Sequence, residues 1–352
     1  MRWIVARISA RTFIGYPACR NDAWIQTSLD YSRDVFTLAF FVHWFPRWLH
    51  GIIIPLMPAR RRLDKHTAVA RKVLEPAIQR WDDAVAGGVE EGEPFTLLNG
   101  MLKSAKGEER NIDQIVDRQL ISSLASIHTS VMTATYCLLE LCQHPEYIEP
   151  LLEEAKQGVA EDPEWARNSN SRMPKIDSFM CEISRLHPPS TREYCVFHNY
   201  LESLANAALQ IVLPQRKARE AVTLSNGIHV PEGTHFAFPL GPVVRDPERF
   251  PDPEKFDGMR YYNRRMKEGI SMSSGKYLAT TPSEEHLIFG HGQQACPGRF
   301  FAVNEVKLIM VFFLLNYDMR QPERQKGSRL HFSFEEYFIL NPTLKLDLKR
   351  KI

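Results

Sequence analysis

One loop restricts this chain more than any other stretch: Phe289-Gly290-His291-Gly292-Gln293-Gln294-Ala295-Cys296-Pro297-Gly298-Arg299. It holds a single cysteine, with one glycine four residues before it and another two residues after it. An apolar segment, Phe300 to Leu315, follows directly. Glycine permits the positive φ of a tight loop and lets the backbone lie close to a flat ligand. Several backbone N–H groups can then point at one sulfur. A thiolate held in this way, at the start of a helix, is favoured by the helix dipole and by those donors. These are the requirements of a cysteine that ligates haem iron. The plainer alternative is a small buried cysteine in a glycine-rich turn.

The rest of the composition narrows the context. A chain of 352 residues suffices for one large domain or two small ones. A formal net charge of +2 gives no basis for a nucleic-acid partner. The cysteines are Cys19, Cys137, Cys142, Cys181, Cys195 and Cys296, and none forms a Cys-x-x-Cys pair. That spacing argues against a zinc site or a dithiol redox motif, and the scatter among apolar neighbours suits a reducing compartment. Met1 to Phe13 reads as an amphipathic helix and not as a signal peptide or anchor. The most apolar region, Val35 to Pro58, is broken by His43, Pro46, Arg47 and His50 into runs too short to span a bilayer. It reads as a buried helix followed by a loop at a membrane surface.

Along the chain, residues 1 to 45 read as two helices with a turn at Gly15-Tyr16-Pro17, and Arg60 to Ala86 as a long amphipathic helix interrupted by Pro76. Ile112 to Gln143 is the longest helical pattern. Its middle, Leu124-Ala125-Ser126-Ile127-His128-Thr129-Ser130, carries small and hydroxyl residues where a core helix usually carries leucine. Such residues allow a flat ligand to approach or the backbone ladder to loosen. Lys175 to Leu186 is a further helix, with Glu182 and Arg185 at i, i+3 spacing. Ile211 to Pro239 alternates like strands around an Asn226-Gly227 turn. Leu330 to Ile352 reads as a terminal hairpin.

The positions Phe289, Gly292, Cys296 and Gly298 match the pattern Phe-x-x-Gly-x-x-x-Cys-x-Gly, and the loop resembles the haem-binding loop of cytochrome P450 enzymes. Met1 to Trp24 is similar to an internal segment of the fungal ent-kaurene-oxidase type. The resemblance implies a mainly α cytochrome P450 fold with small β-sheets. It also implies that 1–352 is a single partial domain lacking the N-terminal anchor and first helices. Cys296 would be the axial ligand of the iron of haem b. Phe289, Gly292, Gly298, Arg299 and Arg216 would contribute to cofactor binding. Gln294 stands where the family usually has Arg or His two residues before the thiolate, which leaves Arg299 and His291 as nearby cations. In the central helix, Thr129 takes the family's proton-delivery position and His128 stands at the position of the family's acid. Each has a plainer reading, a helix-bonded threonine and a satisfied core histidine. Glu182, Arg185 and Arg260 would form the family's buried structural cluster.

The activity implied is oxidation of an apolar small molecule, a terpenoid or another fungal secondary metabolite, with dioxygen and electrons from NADPH through NADPH-cytochrome P450 reductase. The location implied is the cytosolic face of the endoplasmic reticulum membrane. Two alternatives stand beside it: an inactive truncated remnant, and a haem-thiolate rearrangement or dehydration enzyme that needs no external electrons. Residues 192–210 have no counterpart in the family and read as an insertion. Arg192-Glu193-Tyr194 can be encoded with a splice-donor sequence and Gln210 with an acceptor, so a retained intron is one expectation. A surface loop with a short helix from Tyr200 to Leu209 is the other.

Overall fold

The computed structural model describes every residue except 43, 88–95, 163–172, 189–211, 272–273, 335–336 and 352. The insertion expected at 192–210 lies outside the described residues. The chain divides into two compact units, residues 1–131 and 132–352.

The first unit is helical. Helix α1 (Arg2–Ile14) buries Val5, Ala6, Ser9, Ala10 and Phe13, a set at helical spacing. Gly15, at φ 69°, ends it, and a cis Tyr16–Pro17 bond follows. Helix α2 (Asp22–Val42) starts at Asn21, whose side-chain oxygen accepts the Ala23 N–H at 2.9 Å. Helix α3 (His50–Leu56) occupies part of the stretch read as a loop. The run Gly51-Ile52-Ile53-Ile54 forms one turn and Pro55 sits in the last, where a missing N–H costs little because the helix is ending. Helix α4 (Pro58–Ala86) runs through Pro76 and packs along α2. Of the apolar face expected on α4, Ala70 and Leu74 are buried, Leu63, Val73, Ala77, Ile78 and Trp81 are half-buried, and Val85 is exposed. Helix α5 (Leu97–Ser104) is capped by Thr96, whose hydroxyl accepts the Asn99 N–H at 3.1 Å. Helix α6 (Ile112–Gln143) runs from the first unit into the second and has the bounds expected from the sequence. In the first unit it buries Ile115, Gln119, Ser123, Ile127 and Ser130, along one stripe.

The second unit is mixed. After α6 come α7 (Ile148–Glu161) and α8 (Pro174–Leu186). Helix α8 starts on a carboxylate of α7: Glu154 accepts the N–H groups of Lys175 and Ile176, each at 2.9 Å. These are among the four donors that every helix leaves open at its start. Among the described residues, four two-stranded antiparallel sheets follow. Strand β1 (Val212–Lys217) pairs with β4 (His235–Pro239), and β2 (Val222–Thr223) with β3 (His229–Val230). Between β2 and β3, Gly227 takes φ 85° in the turn. A short helix, α9 (Leu240–Val244), precedes α10 (Arg260–Lys267), which packs on α8. Helix α11 (Arg299–Asn316) follows the cysteine loop and packs on α7. The C-terminal strands do not make one hairpin. β6 (His331–Phe334) pairs with β7 (Tyr337–Leu340), whereas β8 (Asp347–Arg350) returns to β5 (Tyr317–Arg320). The core of this unit is Leu151, Ala155, Phe179, Ile183, Val306, Met310 and Leu314, all buried. Among the described residues, no helix is long and apolar enough to cross a membrane.

Candidate functional site

The cysteine loop lies in the second unit. Gly290 and Gly292 take φ of 75° and 64°. A side chain at 290 would also meet the Gln294 carbonyl oxygen, which lies 3.2 Å from where its Cβ would fall. Residues 292–294 form a single 3-10 turn. The Cys296 N–H donates to the Phe289 carbonyl at 2.7 Å, so the two ends of the motif are tied together. Gly298 precedes α11, and a Cβ there would stand 3.8 Å from the Cys296 sulfur. A side chain at 298 would therefore touch the sulfur at ordinary van der Waals distance. Cys296 is exposed.

Elsewhere burial works against thiolate formation. It raises the Cys142 thiol to about 11, and pushes the Cys137 and Cys181 thiols up further. Among the described cysteines only Cys296 is exposed. An accessible sulfur in a glycine loop, at the start of a helix, fits the donor that a haem iron takes from a thiolate protein.

Arg299, the first residue of α11, uses its guanidinium on backbone. Nη1 donates to the Cys296 carbonyl at 2.9 Å and Nε to the Thr280 carbonyl at 3.1 Å. Its carbon lies 4.4 Å from the centroid of the Phe300 ring. Arg216 is half-buried on β1, opposite Phe236.

Glu182, Arg185 and Arg260 form one buried cluster. Arg185 grips Glu182 with two donors, Nε to Oε2 at 2.8 Å and Nη2 to Oε1 at 2.7 Å. Arg260 Nε lies 3.2 Å from both carboxylate oxygens. The remaining donors go to carbonyls: Arg185 Nη1 to Val244 and Pro253, and Arg260 Nη1 to Pro251. The Asp257 N–H adds a bond to Glu182 Oε1 at 3.0 Å. This loop from 244 to 260 is therefore folded around two guanidinium groups, as buried charge requires.

Sequence reasoning missed a second buried pair. Lys307 of α11 meets Asp177 of α8 at 2.7 Å, and both are withdrawn from water. Asp177 also accepts the Ala279 N–H at 3.2 Å. The two residues are 130 apart in the chain, so no local spacing points to the pair. The available signal was an acid and a lysine on otherwise apolar helix faces.

The central-helix residues belong to the first unit. The Thr129 hydroxyl lies 2.8 Å from the Ala125 carbonyl and 3.2 Å from that of Ser126, back along its own helix. Ser126 in turn shares a hydrogen bond with Ser9 of α1 at 3.1 Å. His128 packs against Phe36 of α2, with ring centroids 4.9 Å apart. Burial, and after it the charge of Arg2, lowers its pKa, which keeps the imidazole neutral at physiological pH.

Comparison with known proteins identifies the family. A sequence model described as Cytochrome P450 matches residues 16–199 and 209–350. A cytochrome P450 monooxygenase, AN1598, of Emericella nidulans is 35% identical over 350 residues, which are 99% of this chain and 61% of that protein. An ent-kaurene oxidase of Gibberella intermedia is 33% identical over 351 residues, again 99% of this chain and 61% of the relative. The chain belongs to the cytochrome P450 family and spans about three fifths of the length of these relatives. A solved structure, retinoic acid bound cyanobacterial CYP120A1, superposes with a TM-score of 0.65 at 18% identity, covering 100% of this chain and 69% of that one. The fold is thus the P450 fold, mainly helical with small sheets.

Proposed function

We propose that this chain is the haem-binding part of a monooxygenase that oxidises an apolar small molecule. The exposed Cys296 in its glycine loop carries the proposal. Cys296 holds the iron of haem b, and Phe289, Gly292 and Gly298 keep the loop closed and the sulfur accessible. Haem, when bound, supplies the dioxygen chemistry of the family, with electrons from NADPH through a reductase.

The other residues hold, exclude or move. Arg216 is the cation offered to the haem carboxylates; Arg299, expected beside it, instead serves the cofactor loop through the Cys296 and Thr280 carbonyls. Thr129 spends its hydroxyl proton on the helix and presents lone pairs to a proton donor. His128, neutral and packed at a tilt against Phe36, either relays a proton or forms an apolar wall. Glu182, Arg185 and Arg260 are structural. Names among the relatives, ent-kaurene oxidase above all, favour a terpenoid or another fungal secondary metabolite as substrate.

Exposed Phe40, Phe41, Trp44, Trp48, Ile52 and Leu56 support contact with a membrane surface, read as the cytosolic face of the endoplasmic reticulum. Residues 192–210 are proposed as an insertion or retained intron; the family match covers 192–199 and 209–210 and breaks only at 200–208, so it supports the central part of that stretch. Sequencing the mature transcript tests that point.

The test of the main reading is a reduced carbon-monoxide difference spectrum of the purified chain. Wild type should show the thiolate band, Cys296→Ala should lose it, and Cys142→Ala should keep it. A thiolate band that survives in Cys296→Ala would sink the assignment. A wild type without the band would favour an inactive remnant. Dependence of turnover on NADPH and reductase separates oxidation from rearrangement.

A further inference from the structure

Arg299 stands at the junction of three segments. Its Nη1 donates to the carbonyl of Cys296 and its Nε to that of Thr280. Thr280 is buried, and its neighbour Ala279 donates its N–H to Asp177. Asp177 is in turn ion-paired to Lys307. Helix α11 therefore grips residues 279–280 twice, directly through Arg299 and, two turns later, through Lys307 by way of Asp177. The carbonyl of Cys296 is held inside this closed brace by a charged donor. The Arg299 N–H is 3.4 Å from that oxygen, at the long end of hydrogen bonding, so the side chain supplies the shorter bond.

We infer that Arg299 is a positioning residue for Cys296: it fixes the cysteine loop against residues 279–280 and keeps a positive charge on the peptide group of the sulfur ligand. This deepens the haem-thiolate reading and rests on it. Two consequences follow from the two functions of the guanidinium. A fixed positive charge beside the ligand stabilises the more negative, reduced state, so it raises the ferric/ferrous potential. The planar fork, which reaches two carbonyls at once, gives the loop its rigidity. Lysine keeps the charge and loses the fork. Glutamine keeps one donor and loses the charge.

The chain loaded with haem b is compared as wild type, Arg299→Gln, Arg299→Lys and Cys296→Ala. Arg299→Gln should retain the thiolate band of the reduced carbon-monoxide complex while its potential moves to more negative values. Arg299→Lys should stay nearer the wild-type potential. An unchanged potential in Arg299→Gln overturns the inference. A thiolate band in Cys296→Ala overturns the underlying ligand assignment instead, so the two failures are distinct. A second measurement needs no haem. Amide hydrogen exchange over residues 289–298 of the haem-free chain should be roughly tenfold faster in both Arg299 variants, with the distal end of α11 unchanged. Wild-type exchange in that loop overturns the brace, and this result decides where a variant takes up no haem.

Discussion

Glu182 and Asp34 are both carboxylates withdrawn from water and met by several cations, yet their partners differ. The Arg185 and Arg260 side chains beside Glu182 are only 1% and 9% exposed. The partners of Asp34 are Arg62, Arg33 and His66, and the first two keep 45% and 63% of their surface in solvent. In the second unit both signs of charge are buried, so each needs the other. In the first unit the carboxylate alone is buried, and its cations reach it from the surface of α2 and α4. The difference predicts unequal costs of breaking each cluster, because a cation left in solvent is rehydrated and one left in the core is not.

Glu182→Ala is the severest break. It strands two guanidinium groups that keep only backbone carbonyls for company. The loss should be about 3–5 kcal/mol, a large share of the stability of an ordinary domain. Soluble yield and urea unfolding measure it. Glu182→Gln sharpens the point, since it keeps an acceptor and removes the charge. Near-native stability in that variant would mean that the carbonyls, not the carboxylate, hold the arginines.

Lys307→Met comes next. It leaves Asp177 buried with the Ala279 N–H and without its cation, at an expected cost of about 3 kcal/mol near neutral pH. Burial already pushes the Asp177 carboxyl up, against the pull of Lys307. Alone, it can take a proton as the pH falls, so the penalty should shrink in acid. The double variant Lys307→Met with Asp177→Leu should recover most of the loss, because replacing a whole buried pair is often neutral. Chemical unfolding of the single and double variants at two pH values checks both statements.

These clusters also mark how far sequence reasoning reaches. The i, i+3 spacing of Glu182 and Arg185 dictates that they be neighbours on α8, and a helical period with few breaks made the bounds of α6 legible. The cysteine loop was legible because the spacing of Gly292 and Gly298 about Cys296 is a local pattern, and Gly292 takes a positive φ that favours glycine. Asp177 with Lys307, and Asp34 with Arg33, Arg62 and His66, were not legible. Their partners come from other elements, and one charged residue on an apolar face carries no address for its counterpart. The turn of α3 was missed because the prolines at 46, 55 and 58 outweighed an isoleucine run in a local reading. Residues 163–172 and 189–211 lie outside the described residues, so the strand expected to begin at Ile211 is described only from Val212.

Glu154 lies between the two extremes. Its carboxyl is raised to about 7, first by burial, while the N–H groups of Lys175 and Ile176 pull the other way. The folded pKa is thus above the ordinary value, and the folded chain holds a proton that the unfolded chain gives up. The stability from this group is full below about 4.5 and is lost as the pH rises through about 7. Discounted for partial contact with solvent, the change should be of the order of 2 kcal/mol. Glu154→Gln removes the titration, so the difference in stability between wild type and variant should move in favour of the variant as the pH rises across that window. A difference independent of pH would show that Glu154 is charged throughout and acts only as a cap.

Asp34→Asn should be the mildest of the four and is the sharpest check on the comparison. Burial tends to raise the Asp34 carboxyl, but hydrogen bonds from His66 and Arg62, and the charges of Arg62 and Arg33, hold it below its ordinary value. Arg62 Nε lies 3.0 Å from Oδ1 and His66 Nε2 lies 2.9 Å from Oδ2. Asparagine preserves an oxygen for Arg62 and turns an N–H group toward His66, whose Nε2 accepts it in the tautomer that leaves that nitrogen unprotonated. What disappears is the charge, and the exposed arginines recover water in its place. The cost should be about 1 kcal/mol, and added salt should reduce it, since two partners face solvent. The sign with pH is opposite to that of Glu154. A lowered folded pKa gives stability that is present above the unfolded value of 3.8 and fades as the pH drops through the folded one. Thermal unfolding of wild type and Asp34→Asn, at neutral and acid pH and at low and high salt, should show a small difference that shrinks in acid and in salt. A loss as large as that of Glu182→Ala, insensitive to salt, would mean that the cations of α2 and α4 are as dependent on Asp34 as Arg185 and Arg260 are on Glu182.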